Sequence, residues 1–210
     1  RFLPGPRKMK AMIETGELGR VIHVDANYSG NIEGRYPKNH WRVQQSEIPC
    51  GASTPMGLHM VDTLTWLLGP VARLTAITKH QALSYPLDDT CAVLFELQSG
   101  VTGQYGSHLA CPQTSILRIY GTKANIESRN AFSELLIEPA DATQPREHIR
   151  FTHDDSLQQQ VAALADAAAG IAPYPVKPVE ALRNVAVLEA IMKSAASGNA
   201  WMQVAQGPTE

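Results

Sequence analysis

The sequence lacks the glycine-rich loops that usually hold nucleotide phosphates. A dinucleotide site needs G-x-G-x-x-G between a strand and a helix, because the backbone must approach the pyrophosphate closely at the helix N-terminus. The glycines of the segment 100–106 have the wrong spacing and fall within a predicted strand, where they indicate close packing or a bulge. A Walker loop is also absent. The 210 residues therefore contain no visible means of binding NAD(P) by themselves.

The sequence also has few cysteines, no long apolar run and a net charge close to zero. The three cysteines, Cys50, Cys91 and Cys111, form no C-x-x-C pair, which argues against a disulfide framework or zinc site and favours a reducing, cytoplasmic compartment. No apolar run approaches the roughly 20 residues of a membrane span, and the first residues lack both a signal-peptide pattern and an initiator methionine, so we interpret Arg1 as a cut end. A net charge of -2 offers no general basic field. We therefore expect neither a membrane nor nucleic acid as a partner.

The hydrophobic periodicity predicts an α+β fold. Helical spacing is found at 4–16 and 56–68, and a period-2 strand lies at 21–28, followed by a long loop at 29–55. Further strands are predicted at 71–79, 90–97, 101–110, 114–120, 124–128, 133–138 and 148–152. Two helices close the chain, one at 156–169 with Leu157, Val161 and Leu164, the other at 179–197 with Leu182, Val185 and Leu188. This order predicts helices on one face of a large, open, mainly antiparallel sheet.

The other face of this sheet is predicted to be partly polar. Two strands alternate apolar residues with polar ones, so that each strand has one polar side. These polar residues are His23, Asp25 and Asn27 on the first strand, and Thr102, Gln104 and His108 on the other. Such a face can be exposed to solvent, pack against a second subunit or bind a ligand.

The segment 41–62 carries the strongest candidates for a functional site. A glycine-spaced loop at 51–57 leads into a helix, and His59 lies in the first helical turn, where the positive potential of the helix start favours a neutral imidazole that can exchange a proton. A structural histidine is the alternative. Trp41 and Arg42 could stack on and hydrogen-bond a polyol or carboxylate, or could simply anchor the loop.

Other polar residues near this segment favour structural roles. Asp62 is one turn beyond His59 and is expected to hydrogen-bond within the helix or to a loop. A metal site from His59, Asp62 and His108 would need a convergence that their spacing does not indicate. Cys50 has no activating base nearby in sequence, so we interpret it as a bystander.

Several motifs occur in the order found in one enzyme family. They are Phe2-Leu3-Pro4, Gly16-Glu17-Leu18-Gly19, Trp41-Arg42, the Gly-x-His-x-x-Asp run at 57–62, Gly121-Thr122-Lys123 and Glu189-Ala190-Ile191. The chain resembles the C-terminal domain of the Gfo/Idh/MocA oxidoreductases. The resemblance implies one domain over 1–210, similar to the C-terminal domain of glyceraldehyde-3-phosphate dehydrogenase, with a connecting helix within 1–19 and helices at 156–198 that pack back.

The resemblance also implies a function. A Rossmann domain preceding Arg1 would bind NAD or NADP, and this domain would shape a pocket for a sugar, cyclitol or related polyol and form dimers or tetramers through its open sheet. His59 matches the family histidine that accepts the substrate hydroxyl proton, and Trp41, Arg42, Thr54 and His108 are candidate substrate contacts. Pro55 stands where the family has an aspartate of Asp-x-Gly-x-His. A non-catalytic assembly or ligand-sensing homologue is therefore the alternative, and on either reading the fragment alone is expected to be inactive.

Overall fold

A computed structural model describes residues 1–152 and 155–207, so residues 153–154 and 208–210 of the predicted domain lie outside the described part. Its helices are α1 (Pro4–Glu14), α2 (Gly57–Leu68), α3 (Ser156–Ala168) and α4 (Pro178–Ala196). Its strands are β1 (Val21–Asn31), β2 (Val71–Lys79), β3 (Thr90–Leu97), β4 (Thr102–His108), β5 (Ala110–Gly121), β6 (Ala124–Arg129), β7 (Glu134–Pro139), β8 (Glu147–Arg150) and β9 (Met202–Gln203). Two single 3-10 turns lie at Trp41–Val43 and Gly51–Ser53.

All these strands join one sheet in the order β8-β7-β6-β5-β1-β4-β3-β2-β9. Every neighbouring pair in this order is antiparallel except β1 and β4, which run parallel, with His23 opposite Thr102. A parallel pair requires a long crossover, which here contains α2, β2 and β3. The predicted turn between β3 and β4 is confirmed, and Gly100 supplies its positive φ of 84°. The α+β class and the open, mainly antiparallel sheet are confirmed.

One face of the sheet is covered by helices and forms the core. The predicted stripe of α2 is confirmed, since Met60, Val61 and Leu64 are buried. They face Val93 and Phe95 across a small apolar gap. The opposite face of the sheet remains open, so the domain is asymmetric in what it presents to partners.

The buried face of α4 differs from the predicted one. Leu182 and Val185 are exposed, while Val187, Ala190 and Ser194 are buried. Small side chains let α4 approach β2 closely, and the Ala76 amide donates to Ser194 Oγ at 2.9 Å. A buried hydroxyl with a backbone partner is compatible with the core, and the side of α4 that carries Ser194 is the buried one.

Two further expectations need correction. Residues 29–55 are not one loop, because β1 continues to Asn31 and both 3-10 turns fall within this range. Of the two C-terminal helices expected to pack back, only α4 does so, since α3 has no buried residue. An apolar stripe in a sequence indicates which side of a helix tends to be buried, but it does not show whether residues of the same chain pack against that side.

Candidate functional site

The start of α2 is fixed by close packing against the sheet. Gly57 lies so near Tyr105 of β4 that a Cβ at this position would fall 1.7 Å from the Tyr105 hydroxyl. Any side chain at residue 57 would therefore push the first turn of α2 off the sheet. The glycine of the Gly-x-His-x-x-Asp run thus has a packing role. It fixes the distance between the first turn of α2 and the sheet.

His59 projects from this first turn and is exposed. Its ring meets the edge of the Tyr28 ring, with the centroids 6.2 Å apart and the planes at 87°. This edge-to-face geometry is favourable for two aromatic rings and restricts the orientation of the imidazole without occupying its nitrogen atoms. No side chain caps the start of α2. A ligand could therefore reach the imidazole.

Asp62 follows one turn later and holds the first residue of the chain. Arg1 donates to both carboxylate oxygens of Asp62, at 2.8 and 3.1 Å, and also to Glu180 of α4 at 2.7 Å. Asn184 of α4 donates to Asp62 at 2.7 Å. The Arg1 side chain is only 5% exposed. The first residue of the chain is therefore clamped between α2 and α4, at Asp62, one helical turn beyond His59.

The clamp keeps Asp62 ionised. Burial by itself would raise the pKa of Asp62, but the hydrogen bonds and charge of Arg1, with the hydrogen bond from Asn184, outweigh it and lower the pKa below its usual range. A carboxylate held this firmly is not available as a proton acceptor. The structural role expected for Asp62 is therefore what its geometry favours.

Trp41 and Arg42 lie in an exposed aromatic cluster. The His40 ring stacks on Tyr36 at 4.8 Å and on Trp41 at 5.8 Å, and the Arg42 guanidinium lies 4.7 Å from the Trp41 ring centre. Within the described part of the chain, no hydrogen bond or ring contact joins this cluster to His59. These mutual contacts favour a loop-anchoring role, although the Trp41 side chain remains 54% exposed.

Thr54 and Cys50 are engaged inside the loop that precedes α2. The Cys50 amide donates to Thr54 Oγ1 at 3.2 Å, so the hydroxyl oxygen already serves the 3-10 turn at Gly51–Ser53. The Cys50 thiol is buried, and burial raises its pKa well above the usual value. Burial likewise raises the pKa of Cys91 to about 11. Neither thiol is a nucleophile at neutral pH.

His108 lies on the other side of the sheet from His59. It lines a concave region of about 460 Å³ on the open face, together with Asn27, Gln104 and Leu94. The α2 side chains instead contact Val93 and Tyr105, whose positions alternate with those of Leu94 and Gln104. The structure therefore does not bring His108 to His59. Among residues 1–152 and 155–207, no group of three or more potential ligands could hold a metal ion.

Two residues that contact α2 could not be identified from sequence. Tyr28 sits at an apolar position of the period-2 strand pattern, which by itself predicts core packing rather than a contact with His59. Arg1 belongs to no local pattern. Its partners Asp62 and Glu180 are distant in sequence, so only tertiary structure reveals the clamp.

An open sheet covered by helices on one face is the architecture of a known family of domains. Residues 10–204 match the family described as the oxidoreductase family, C-terminal alpha/beta domain. The chain belongs to this family, the Gfo/Idh/MocA oxidoreductases, as its motifs predicted. A comparison with curated proteins gave no match. No helix of the described residues is long and apolar enough to cross a membrane.

Solved structures share the fold. A protein assigned as an NADPH-dependent oxidoreductase from Desulfitobacterium hafniense is 28% identical, with a TM-score of 0.86 over 94% of this chain and 60% of that chain. Levoglucosan dehydrogenase with NADH and levoglucosan is 19% identical, with a TM-score of 0.81 over 96% and 64%. The WlbA dehydrogenase of Bordetella pertussis with NADH and UDP-GlcNAcA is 23% identical, with a TM-score of 0.78 over 96% and 62%. The present chain thus spans less than two thirds of each.

Proposed function

We propose that this chain is the substrate domain of an NAD(P)-dependent oxidoreductase that acts on a sugar, cyclitol or related polyol. In this proposal a preceding Rossmann domain holds NAD or NADP, and His59 exchanges the proton of the substrate hydroxyl while hydride moves to or from the nicotinamide. The observation that carries the proposal is the position of His59. It is exposed at the start of α2, one turn from the Asp62 that clamps the entering segment.

The surroundings of His59 support this role. The entering segment is held beside α2 by the Arg1 clamp, so a domain attached there would lie next to the imidazole. A pocket completed by two domains is the usual place for a cofactor and substrate to meet. Similar folds have been solved with NADH and with the carbohydrates levoglucosan and UDP-GlcNAcA. Three free thiols are consistent with the cytoplasmic location that we include in the proposal.

Pro55 motivates the competing function. Because proline offers neither a proton acceptor nor a partner for an imidazole, His59 lacks the carboxylate that would orient it from this position. In the present structure the Tyr28 ring provides a restraint instead. A non-catalytic assembly or ligand-sensing protein would have no need of a proton relay. It would bind ligand without oxidising it.

Turnover by the parent protein separates these two functions. We expect the parent, mixed with NAD+ or NADP+ and a panel of sugars, cyclitols and polyols, to form NAD(P)H with at least one of them. The 210-residue chain alone should form none, because its described residues present no glycine-rich phosphate loop. Absorbance of the reduced nicotinamide measures both. Ligand binding by the parent without any reduction of NAD(P)+ would favour the sensing function. Turnover by the 210-residue chain would contradict the proposal that a preceding domain holds the cofactor.

We further propose that the open sheet face pairs subunits of the parent protein. Its β2–β3 half exposes apolar side chains, with Leu94 53% exposed beside Ile77. Its β1–β5 half is polar and internally paired, since Tyr120 donates to Asp25 at 2.6 Å and His23 lies between Asp25 and Thr102. An apolar patch next to a satisfied polar network is typical of a subunit interface. In this proposal His108 is an interface residue.

A charge placed on the apolar half tests the pairing. We expect Leu94→Asp to lower the sedimentation mass of the parent to that of a single chain, because a carboxylate would lose its hydration in the interface. Ile22→Asp is the matched control, since Ile22 is 49% exposed but lies beside Leu67 and Leu68 on the helix side. An unchanged sedimentation mass for Leu94→Asp would contradict the proposed pairing of subunits through this face. An equal loss of mass for Ile22→Asp would contradict it as well.

A further inference from the structure

The helix α3 carries an apolar stripe that nothing in the described chain covers. Leu157, Val161 and Leu164 are 73%, 61% and 59% exposed, and their spacing places them on one side of the helix. None of the α3 residues is buried. Two residues of the stripe, Leu157 and Val161, line a shallow concave surface together with Ala162 and Ala165. This is the least supported helix of the domain, although its sequence has the pattern of a packed one.

A helix of this kind needs a packing partner. With 13 residues and no side-chain cap, α3 is at the length where an isolated helix is marginal in water. Most helix stability in proteins comes from burying the apolar face. The hydrogen bonds between α3 and other described elements include Arg7 donating to Gln159 and Gln160 donating to Tyr174 at 3.4 Å, and both are polar contacts on exposed side chains. The exposed stripe therefore points to a surface that is covered in the parent protein.

The position of α3 indicates which surface covers it. Arg7 of α1 contacts Gln159 of α3, and its guanidinium lies 5.2 Å from the Phe2 ring centre, so α3 adjoins the segment where the chain enters. Gln159 lies about 160° around α3 from Val161, so a domain attached at Arg1 would meet α3 from the side opposite the stripe and would cover the stripe by extending around the helix. Three side chains make too small a patch to hold separate molecules together, since stable interfaces bury about 1,200 Å² or more. They suffice for a tethered domain, whose effective concentration is high.

We infer that the stripe Leu157, Val161 and Leu164 is a docking surface for the dinucleotide-binding domain of the same polypeptide. The inference rests on the proposed function, because it requires that preceding domain. The solved structures of similar fold contain the additional length for one, since this chain covers only 60% and 64% of two of them. Docking at α3 adds a second attachment besides the Arg1 clamp, and so fixes the angle at which the cofactor faces α2.

Cysteine accessibility in the parent protein tests the docking. Val161→Cys places a thiol on the stripe, and Asp166→Cys places one about 140° around the same helix, at an exposed position. The native cysteines are buried or half-buried, and the protein without either substitution gives their background rate of reaction with the maleimide. In the parent we expect Cys replacing Val161 to react with a maleimide about tenfold more slowly than Cys replacing Asp166. In the 210-residue chain the two should react at similar rates.

Each other outcome has a separate meaning. Equal rates in the parent overturn the docking, even if the parent oxidises a polyol and the proposed function stands. Protection that grows with protein concentration overturns it in favour of a second copy. Protection of residue 161 in the 210-residue chain overturns it too, because the cover would then be internal. Protection in a parent that shows no turnover supports the docking and counts against the proposed function alone.

Discussion

Replacing His59 with alanine should lower the turnover of the parent protein by about 10² to 10⁴-fold, the usual contribution of one positioned proton-transfer group. Affinity for the nicotinamide cofactor should change little, because the proposed cofactor domain lies outside the chain. Since His59 is exposed, free imidazole has access to the space left by the truncated side chain and should restore part of the rate. Stopped-flow reduction of NAD(P)+ with saturating substrate measures the loss and the rescue.

The matched control is His148→Ala. His148 is another exposed histidine, but it lies on β8 and pairs with Glu134 at 3.0 Å, at the far edge of the sheet from β9. Its replacement should leave turnover unchanged and give no response to imidazole. If His59→Ala retained full turnover, the proton-transfer role would be wrong even though the family assignment would stand.

The second large effect concerns stability. Asp62→Ala should destabilise the 210-residue chain by about 3 kcal/mol, because it leaves the Arg1 guanidinium with one carboxylate partner instead of two. Arg1 is 5% exposed, so water cannot replace the lost partner. Asn184 loses its acceptor as well. Urea unfolding followed by circular dichroism measures the change in the free energy of unfolding.

The control for Asp62→Ala is the exposed pair on β2 and β3. Arg73 and Glu96 are 49% and 33% exposed, so Glu96→Ala should lower stability by less than about 1 kcal/mol. An equal effect of the two substitutions would show that the Arg1 clamp contributes no more than a surface pair. The first residue of the chain would then be only loosely held against α2 and α4.

The clamp also predicts a pH dependence. Because the pKa of Asp62 is lower in the folded chain than in the unfolded one, the stabilisation is present above the unfolded value of about 4 and is lost as the pH falls through the folded value. The stability difference between the native chain and Asp62→Asn should therefore shrink as the pH falls below about 4. A constant difference would mean that the Asp62 charge does not take part.

Much of the fold was predictable because it rests on local patterns. The α2 stripe of Met60, Val61 and Leu64 and the turn at Gly100 follow from period and backbone preference, and both are present. The α4 face was not predictable, because a buried Ser194 bonded to β2 reverses what hydrophobicity alone favours. The two-residue β9 is too short to carry a period.

The candidate site was predictable only in part. His59 could be selected from its helix start and its motif, and the structure places it on an exposed surface. The sequence could not show that His108 lies on the other side of the sheet from His59. Strand alternation places a residue on one face of a sheet, but it does not show which face adjoins α2. Arg1 and Tyr28 were missed, since their importance depends on contacts with residues distant in sequence, Asp62 for Arg1 and His59 for Tyr28.

The most direct test of the His59 site is a crystal structure of the parent protein with oxidised nicotinamide cofactor and a polyol that it oxidises slowly. We predict a substrate carbon about 3.5 Å from nicotinamide C4 and its hydroxyl within about 3 Å of a ring nitrogen of His59. A nicotinamide ring bound on the open sheet face, or a His59 covered by the preceding domain with no ligand beside it, would contradict the proposal.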